Sequence, residues 1–495
     1  MVATALSGQP QTRPPAAEPR RLAINFLFLS AGEFTAKLLT FASFSFLARM
    51  LGPWQYGLLE FTLALMVFFT LPVDLGLGSY GAREIARNPQ NAARLLTEIT
   101  QLRLLLALCS MCAVGVFVLL IHKSLELKLL LLLYGFSLLS GPFLLQWFFQ
   151  AHDQMHWVGA ASIVRQTIFA GLVFLFCRPG WPLVNVGFIE CASVAGVAGF
   201  CFYVTRTKMG FSSPGRLLTR KCLAAHLKEA SPIGLTELAW AFMWYFCTVL
   251  LGFIFADRSL GWFGASHRAL MALHTFVWLY FFNLLPSISR CVGQPHRSIL
   301  DLMDGSVRFA AWSGLLAAAV LTAIAPFLLT LIYGPSFRAA SASFAILAWM
   351  LPVAMLSGHH RYMLIAFGQQ RTLLGCTAVS ATAAVILGFL LVPLYGGPGA
   401  AWALLAANTI NLVLVYLAVR RLIVEVPIHR QLANPLMTFA FASVGYVALE
   451  RWNQWLALLL GLTIYATGLL ATDGRLLGSF LRTLVRKPAA NCAAA

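Results

Sequence analysis

Apolar runs of membrane-crossing length follow one another along almost the whole chain, separated by short polar connections. A helix rises 1.5 Å per residue, so about 20 apolar residues cross a hydrocarbon layer of about 30 Å. Every backbone N–H and C=O in that layer needs a partner inside the protein, which leaves helices or a closed barrel. The alternating strands of a membrane barrel do not occur. Hydrophobic residues make up 60% of the 495 positions and charged residues 11%. The expected fold class is therefore an all-α polytopic membrane protein, with about fourteen transmembrane helices by this length criterion.

The runs fall at about 22–48, 58–80, 100–121, 129–149, 158–177 and 183–205, then at about 232–256, 262–285, 307–332, 339–367, 373–394 and 399–419. Two more, at about 432–449 and 455–471, complete the set. A basic stretch with Gly, Pro and Ser between the two groups of six reads as a linker. The expected organisation is a tail at 1–21, a first lobe at 22–205, a linker at 206–231, a second lobe at 232–420, an extra helix pair at 421–472 and a tail at 473–495.

The net charge of +18 would suggest a nucleic-acid partner in a soluble chain, but here the basic residues occupy the connections, where they record topology. With strict alternation from an inside N-terminus, 26 of the 35 Lys and Arg fall on the cytoplasmic side and 8 on the outer side, leaving Lys37 inside a span. Both termini are expected in the cytoplasm. The first run is longer than a signal-peptide core and no small-residue cleavage site follows it, so it reads as a retained helix. The cysteines fall mainly inside spans as small apolar fillers; Cys109 and Cys112 form a CxxC without nearby metal-ligating partners, so packing is the favoured reading.

Two groups of six helices invite a search for an internal repeat. Residues 148–176 and 365–391 both place a Gln-rich turn and a glycine before an apolar helix, and LGPWQYG at 51–57 after span one matches LGWFG at 260–264 after span seven. Because six is even, both lobes enter from the same side, so the repeats are expected to be parallel, related by an axis along the membrane normal, with a cleft between them.

The segments LARMLGPWQYG (47–57), DLGLGSYGAREIAR (74–87), LPSISR (285–290), LIYGPSF (331–337) and VPLYGGPGAAWA (392–403) come in an order that resembles the polysaccharide-transporter, or Wzx-type O-antigen flippase, family of the multidrug/oligosaccharidyl-lipid/polysaccharide exporter superfamily. The resemblance covers roughly residues 22–470. It implies two six-helix lobes plus two C-terminal helices, a bacterial inner-membrane location, and a substrate that is an undecaprenyl-diphosphate-linked oligosaccharide turned from the inner to the outer leaflet. Proton or sodium coupling and other polysaccharide assembly proteins are partners consistent with it; a cofactor, a metal and nucleic acid are not expected. Such a headgroup is polar and anionic and cannot cross hydrocarbon unaided, so it calls for a wet, cationic cleft.

Lys37 is the first candidate, because a charge at a helix centre is costly unless it faces a cavity or a partner. Asn25, Glu33, Lys37 and Thr40 share one face of span one. Either Lys37 meets the diphosphate, or Glu33 and Lys37 pair within the helix at i and i+4. A third reading, implied by the related multidrug exporters, makes Glu33 the site of a coupling ion. In span seven Glu237, Trp240, Trp244 and Tyr245 offer a carboxylate beside aromatic faces suited to sugars, against the reading that the aromatics are packing residues and interfacial anchors. Span eight offers His267, His274 and Trp278 on one face, with Arg268 either forking onto phosphate or snorkelling to the outer interface. Arg165 is a candidate for receiving the diphosphate on entry, Asp74 is expected to pair with Arg83 and Arg87, and Arg361 is a further cleft candidate beside His359 and His360.

A multidrug or cation antiporter of the same superfamily is the alternative, with Glu33 as its acid; Lys37 and Arg268 would repel cationic drugs. A polysaccharide polymerase or glycosyltransferase is less favoured, since outer connections are short and no DxD-like, GxSxG, HExxH or Walker sequence is present. The chain is not expected to be an enzyme.

Overall fold

The computed structural model describes residues 18–211, 219–255, 258–475 and 478. The expected tails at 1–21 and 473–495 and the centre of the linker fall largely outside these, as does the side chain of Asn25. The described residues hold fifteen α-helices joined by short turns and single-turn helices. They are α1 (Glu18–Asp74), α2 (Leu77–Arg87), α3 (Ala92–Leu120), α4 (Leu125–Ser137), α5 (Gln146–Ala151), α6 (Met155–Phe176) and α7 (Val184–Tyr203). After the linker come α8 (Arg220–Ile254), α9 (Arg258–Arg290), α10 (His296–Tyr333), α11 (Ser341–Ala348) and α12 (Met350–Ala366). Last are α13 (Gln370–Leu422), α14 (Ile428–Glu450) and α15 (Gln454–Thr472).

Twelve helical stretches among the described residues are long and apolar enough to cross a membrane. Two are far longer than one crossing needs. α1 has 57 residues and α13 has 53, which at 1.5 Å per residue is about 80 Å or more. Each is kinked at a glycine followed closely by proline: Gly52 (φ 70°, ψ 173°) before Pro53, and Gly396 (φ 58°, ψ −129°) two residues before Pro398. A side chain at positive φ pays a steric cost that glycine avoids, and the proline lacks the N–H that would continue the ladder.

The structure departs from the expected spans where proline interrupts an apolar run. The run at 129–149 is α4, a 3₁₀ segment from Leu138 to Phe143 containing Pro142, and α5. The run at 339–367 breaks at Trp349 into α11 and α12, three residues before Pro352, whose ring clashes with the carbonyl four residues back. The expected linker is also shorter, because α8 already starts at Arg220, where the Thr219 hydroxyl accepts from the Cys222 N–H at 3.4 Å.

The main apolar core runs through both halves of the chain, from Phe44 and Leu47 in α1 to Phe281 in α9 and Leu404 in α13. Helices α1 and α9 meet most closely at glycines. A β-carbon on Gly57 would lie 2.8 Å from the Gly261 nitrogen, and one on Gly261 would overlap the Pro53 carbonyl. Thus LGPWQYG and LGWFG, paired in sequence as repeat equivalents, touch in space. Around them the Arg49 guanidinium donates to the Leu331 and Ile332 carbonyls, the Lys123 ammonium to the Gly252 carbonyl at 3.0 Å, and the Trp262 indole to the Ser336 carbonyl at 2.9 Å. The glycine contact and the Arg49 and Lys123 bonds hold the two halves tightly together here.

At the opposite end of α1, the start of α8 lies against α2 and α3. His226 is buried between the Tyr80 hydroxyl (3.1 Å) and Glu98 (2.9 Å), and Arg94 donates to the same carboxylate at 2.7 Å. Asp74 pairs with Arg103 at 2.8 Å, not with Arg83 or Arg87 as expected from proximity in sequence; Arg83 and Arg87 instead bind Glu84. Helices α14 and α15 pack on α10 through Trp312 and Tyr465, while Val444, Leu459 and Leu470 stay 61–73% exposed, as side chains facing lipid do.

Candidate functional site

Between α1, α6 and α7 on one side and α8, α9, α12 and α13 on the other lies a cavity of about 720 Å³, within the range of about 300–1,000 Å³ usual for ligand sites. Its lining carries four cations, Lys37, Arg165, Arg268 and Arg361, and four carboxylates, Glu33, Glu60, Glu190 and Glu237. The cationic cleft expected from sequence is thus formally balanced.

The charges differ in how they are held. Arg268 is largely buried; its Nε donates to Glu60 Oε1 at 2.6 Å, and its guanidinium lies 3.5 Å from the centre of the Phe44 ring. It neither snorkels to an interface nor stands free, and its pair joins α9 to the second arm of α1. A β-carbon on Gly264 would sit 2.5 Å from the Glu60 side chain, so glycine there makes room for the carboxylate. Arg165 donates to Glu190 at 2.6 Å and keeps a buried Nε without a partner.

Lys37 is exposed to the cavity and has no ion-pair partner among the described residues. The alternative that it pairs with Glu33 does not hold, because Glu33 accepts from the Ser162 hydroxyl at 2.7 Å, which in turn accepts from the Gln146 amide at 3.2 Å. That relay borders a side cavity of about 240 Å³ that Lys37 and Arg165 also line. Glu237 is likewise exposed to the cavity and, among the described residues, lacks a cationic partner.

The wall from the second half adds aromatic and neutral polar groups to Glu237, Arg268 and Arg361. Trp240, Tyr245, His267 and His274 line the cavity, while Trp244 does not; it is 3% exposed and stands behind them, 5.7 Å from Trp240 and 5.1 Å from His274 between ring centres. Thr248, Thr377 and Asn411 complete this wall.

Of the sequence candidates, the structure brings Lys37, Arg165, Arg268, Glu33, Glu237, Trp240, Tyr245 and His274 to one cavity and leaves Trp244 outside its lining. Sequence reasoning missed Glu60, Thr377 and Asn411. Glu60 carried a readable signal, a carboxylate just inside an apolar run; the neutral residues carried none, because Thr and Asn in a membrane helix commonly bond their own backbone, as Thr377 does with the Leu373 carbonyl. Among the described residues no three His, Cys, Asp or Glu side chains group as metal ligands do.

The sequence profile of the family described as "Polysaccharide biosynthesis protein" matches residues 22–292. A putative O-antigen transporter of Shigella dysenteriae is 24% identical over 360 residues, 72% of this chain and 88% of that one. One of Escherichia coli K12 is 21% identical over 254 residues, and the match spans 50% of this chain and only 60% of that relative. Among solved structures, the lipid II flippase MurJ in an inward closed conformation superposes with a TM-score of 0.70 at 17% identity, covering 93% of this chain and all of that one. An inward-facing MATE family multidrug resistance transporter of the MOP superfamily gives 0.64 at 15% identity, covering 78% and 94%. At these identities the two structures share the fold with this chain.

Proposed function

The chain belongs to the polysaccharide biosynthesis protein family, and from that premise we propose that it is a flippase, carrying an undecaprenyl-diphosphate-linked oligosaccharide from the inner to the outer leaflet of the bacterial cytoplasmic membrane. The observation that carries this reading is Lys37, a cation without an ion-pair partner among the described residues, exposed to a cavity walled by membrane-crossing helices. A charge in that position is costly and is stabilised when an anionic headgroup meets it. Arg165 and Arg268, each paired with a carboxylate, add guanidinium forks that suit phosphate oxygens. Trp240, Tyr245 and His274 on the facing wall suit the sugars, and the lipid tail stays in the bilayer.

Counting α1 and α13 as two crossings each gives fourteen, in two six-helix lobes plus α14 and α15. The Lys and Arg bias then puts both termini in the cytoplasm and the closed glycine contact of Gly57 and Gly261 on the outer side. Contact between repeat-equivalent segments is what lobes related by an axis along the membrane normal produce where they meet that axis. Rocking of the lobes would open this contact and deliver the headgroup outward.

One observation favours a second reading, a multidrug or cation antiporter: carboxylates equal cations in the lining, and Glu33 and Glu237 face it without a cationic partner. The two separate in cells lacking the protein. On the flippase reading, Lys37→Ala fails to restore surface polysaccharide and lets cytoplasm-facing lipid-linked precursor accumulate, with drug tolerance unchanged. Full export by this variant removes the headgroup assignment, and a change in drug tolerance alone favours the antiporter.

A further inference from the structure

Thr248 on α8, His267 on α9, and Thr377 and Asn411 on the two arms of α13 form a part of the cavity wall that phosphate binding leaves unused. They are 2%, 5%, 9% and 8% exposed. The Thr248 hydroxyl and His267 Nε2 are buried without a hydrogen-bond partner. Asn411 takes the Ser380 hydroxyl on its carbonyl oxygen at 3.4 Å, and its amide N–H groups make no bond among the described residues. A buried polar atom without a partner costs about 1–3 kcal/mol, so the Thr248 hydroxyl and His267 Nε2 on one wall mark a place where a ligand completes the set.

The chemistry of the set narrows the ligand. These four side chains include no carboxylate to hold a cation and no Lys or Arg to hold phosphate. They offer hydroxyl, imidazole and amide groups, which donate and accept without charge. Ring faces stand beside them: Tyr245 lies 5.7 Å from His267 and 6.1 Å from Trp240 between centres. Neutral donors and acceptors next to aromatic faces match a pyranose, whose hydroxyls lie round its edge and whose C–H groups form an apolar face.

We infer that this patch of the wall is a subsite for an uncharged sugar, the residue attached directly to the diphosphate, beside the cations that take the phosphates. The inference rests on the flippase reading and assigns the sugar-recognising groups within it.

The test is equilibrium binding to the purified full-length protein, followed by quenching of tryptophan fluorescence, with two probes: undecaprenyl diphosphate, and undecaprenyl diphosphate bearing one N-acetylglucosamine. Wild type is expected to bind the glycosylated probe more tightly. Thr248→Val is expected to weaken that probe roughly ten-fold and the Thr248→Val/Asn411→Leu double variant on the order of a hundred-fold, since each leaves a sugar group unpaired. Binding of the bare carrier should change less than about two-fold, and Thr248→Ser should restore the difference between probes. Where Thr248→Val does not give a monodisperse protein, Asn411→Leu against Asn411→Gln reads the same difference. Equal loss for both probes, or no loss for either, overturns the subsite and leaves the flippase reading standing. Failure of wild type to bind either probe overturns both.

Discussion

The two walls of the cavity solve opposite problems. The wall from the first half is built of charge: Lys37, Arg165 with Glu190, Glu60 reaching to Arg268, and Glu33 held by Ser162. The wall from the second half, besides Arg268, Arg361 and Glu237, presents rings and neutral polar groups around Thr248, His267 and Asn411. Ion pairing keeps most of the first wall's charge tolerable in the empty state, since an uncompensated charge away from water costs far more than a paired one. The second wall holds its polar groups at lower cost and leaves some of them unpartnered. The difference teaches that one cavity can present an anion site and a neutral site side by side without the cations of one spoiling the other.

The largest expected effect tests the pairing of the charged wall. Glu60→Ala leaves Arg268 buried with no counter-charge, and removal of one partner of a buried pair costs about 3–5 kcal/mol. Thermal unfolding in detergent should show a large drop in melting temperature. A Glu60→Leu/Arg268→Met double variant should recover most of that stability, because apolar residues of similar volume replace a buried pair at little cost, while export stays lost. Recovered export would separate Arg268 from the substrate.

Lys37→Ala is expected to leave melting unchanged, because Lys37 supports nothing in the empty protein, and to weaken binding of undecaprenyl diphosphate by about ten- to a hundred-fold, the size of a charge-assisted bond. Lys37→Arg should retain most binding. A Lys37→Ala variant that melts early would make the residue structural and dissolve the contrast between the walls.

How much of this could be read from the chain depends on whether partners share a helix. The apolar runs, the breaks at Gly52 and Gly396 and the stripe holding Glu33 and Lys37 all follow from spacing within one segment. Partners across helices did not. Asp74 is expected beside the nearby Arg83 and Arg87, yet finds Arg103; Glu33 has pairing with Lys37 as one of its open readings, yet accepts from Ser162; Glu60 went unnoticed although it holds Arg268. An i, i+4 rule sees one helix surface, whereas these pairs are set by the rotation of one helix against another. Prolines 142 and 352 were present in the sequence, but apolar length alone hid the breaks they impose.

Gly261→Ala sharpens the comparison at the place where the walls converge. The added carbon overlaps the Pro53 carbonyl, and overpacking of this kind costs about 1–3 kcal/mol. On the flippase reading this contact is the outer gate, so the variant should favour the outward-open form. Cysteines placed at the rim, labelled by a membrane-impermeant thiol reagent from outside, should react faster in the variant. Unchanged labelling with lowered melting would place the contact outside the gating motion.

The smallest expected effect falls on Glu237, which lies on the second wall and carries a charge. It is exposed to the cavity and, among the described residues, has no cationic partner, so screening by water limits its electrostatic worth to about 1 kcal/mol or less. If Glu237 only repels the diphosphate, Glu237→Gln should bind the bare carrier up to about five-fold more tightly, with export unchanged. If it takes up a coupling cation, the same variant should bind as before, and export should lose its dependence on an imposed proton or sodium gradient. In the second case the contrast between the walls gives way to a division between a substrate site and a coupling site, with the cavity-lining carboxylates Glu33 and Glu237 as rival candidates for the ion.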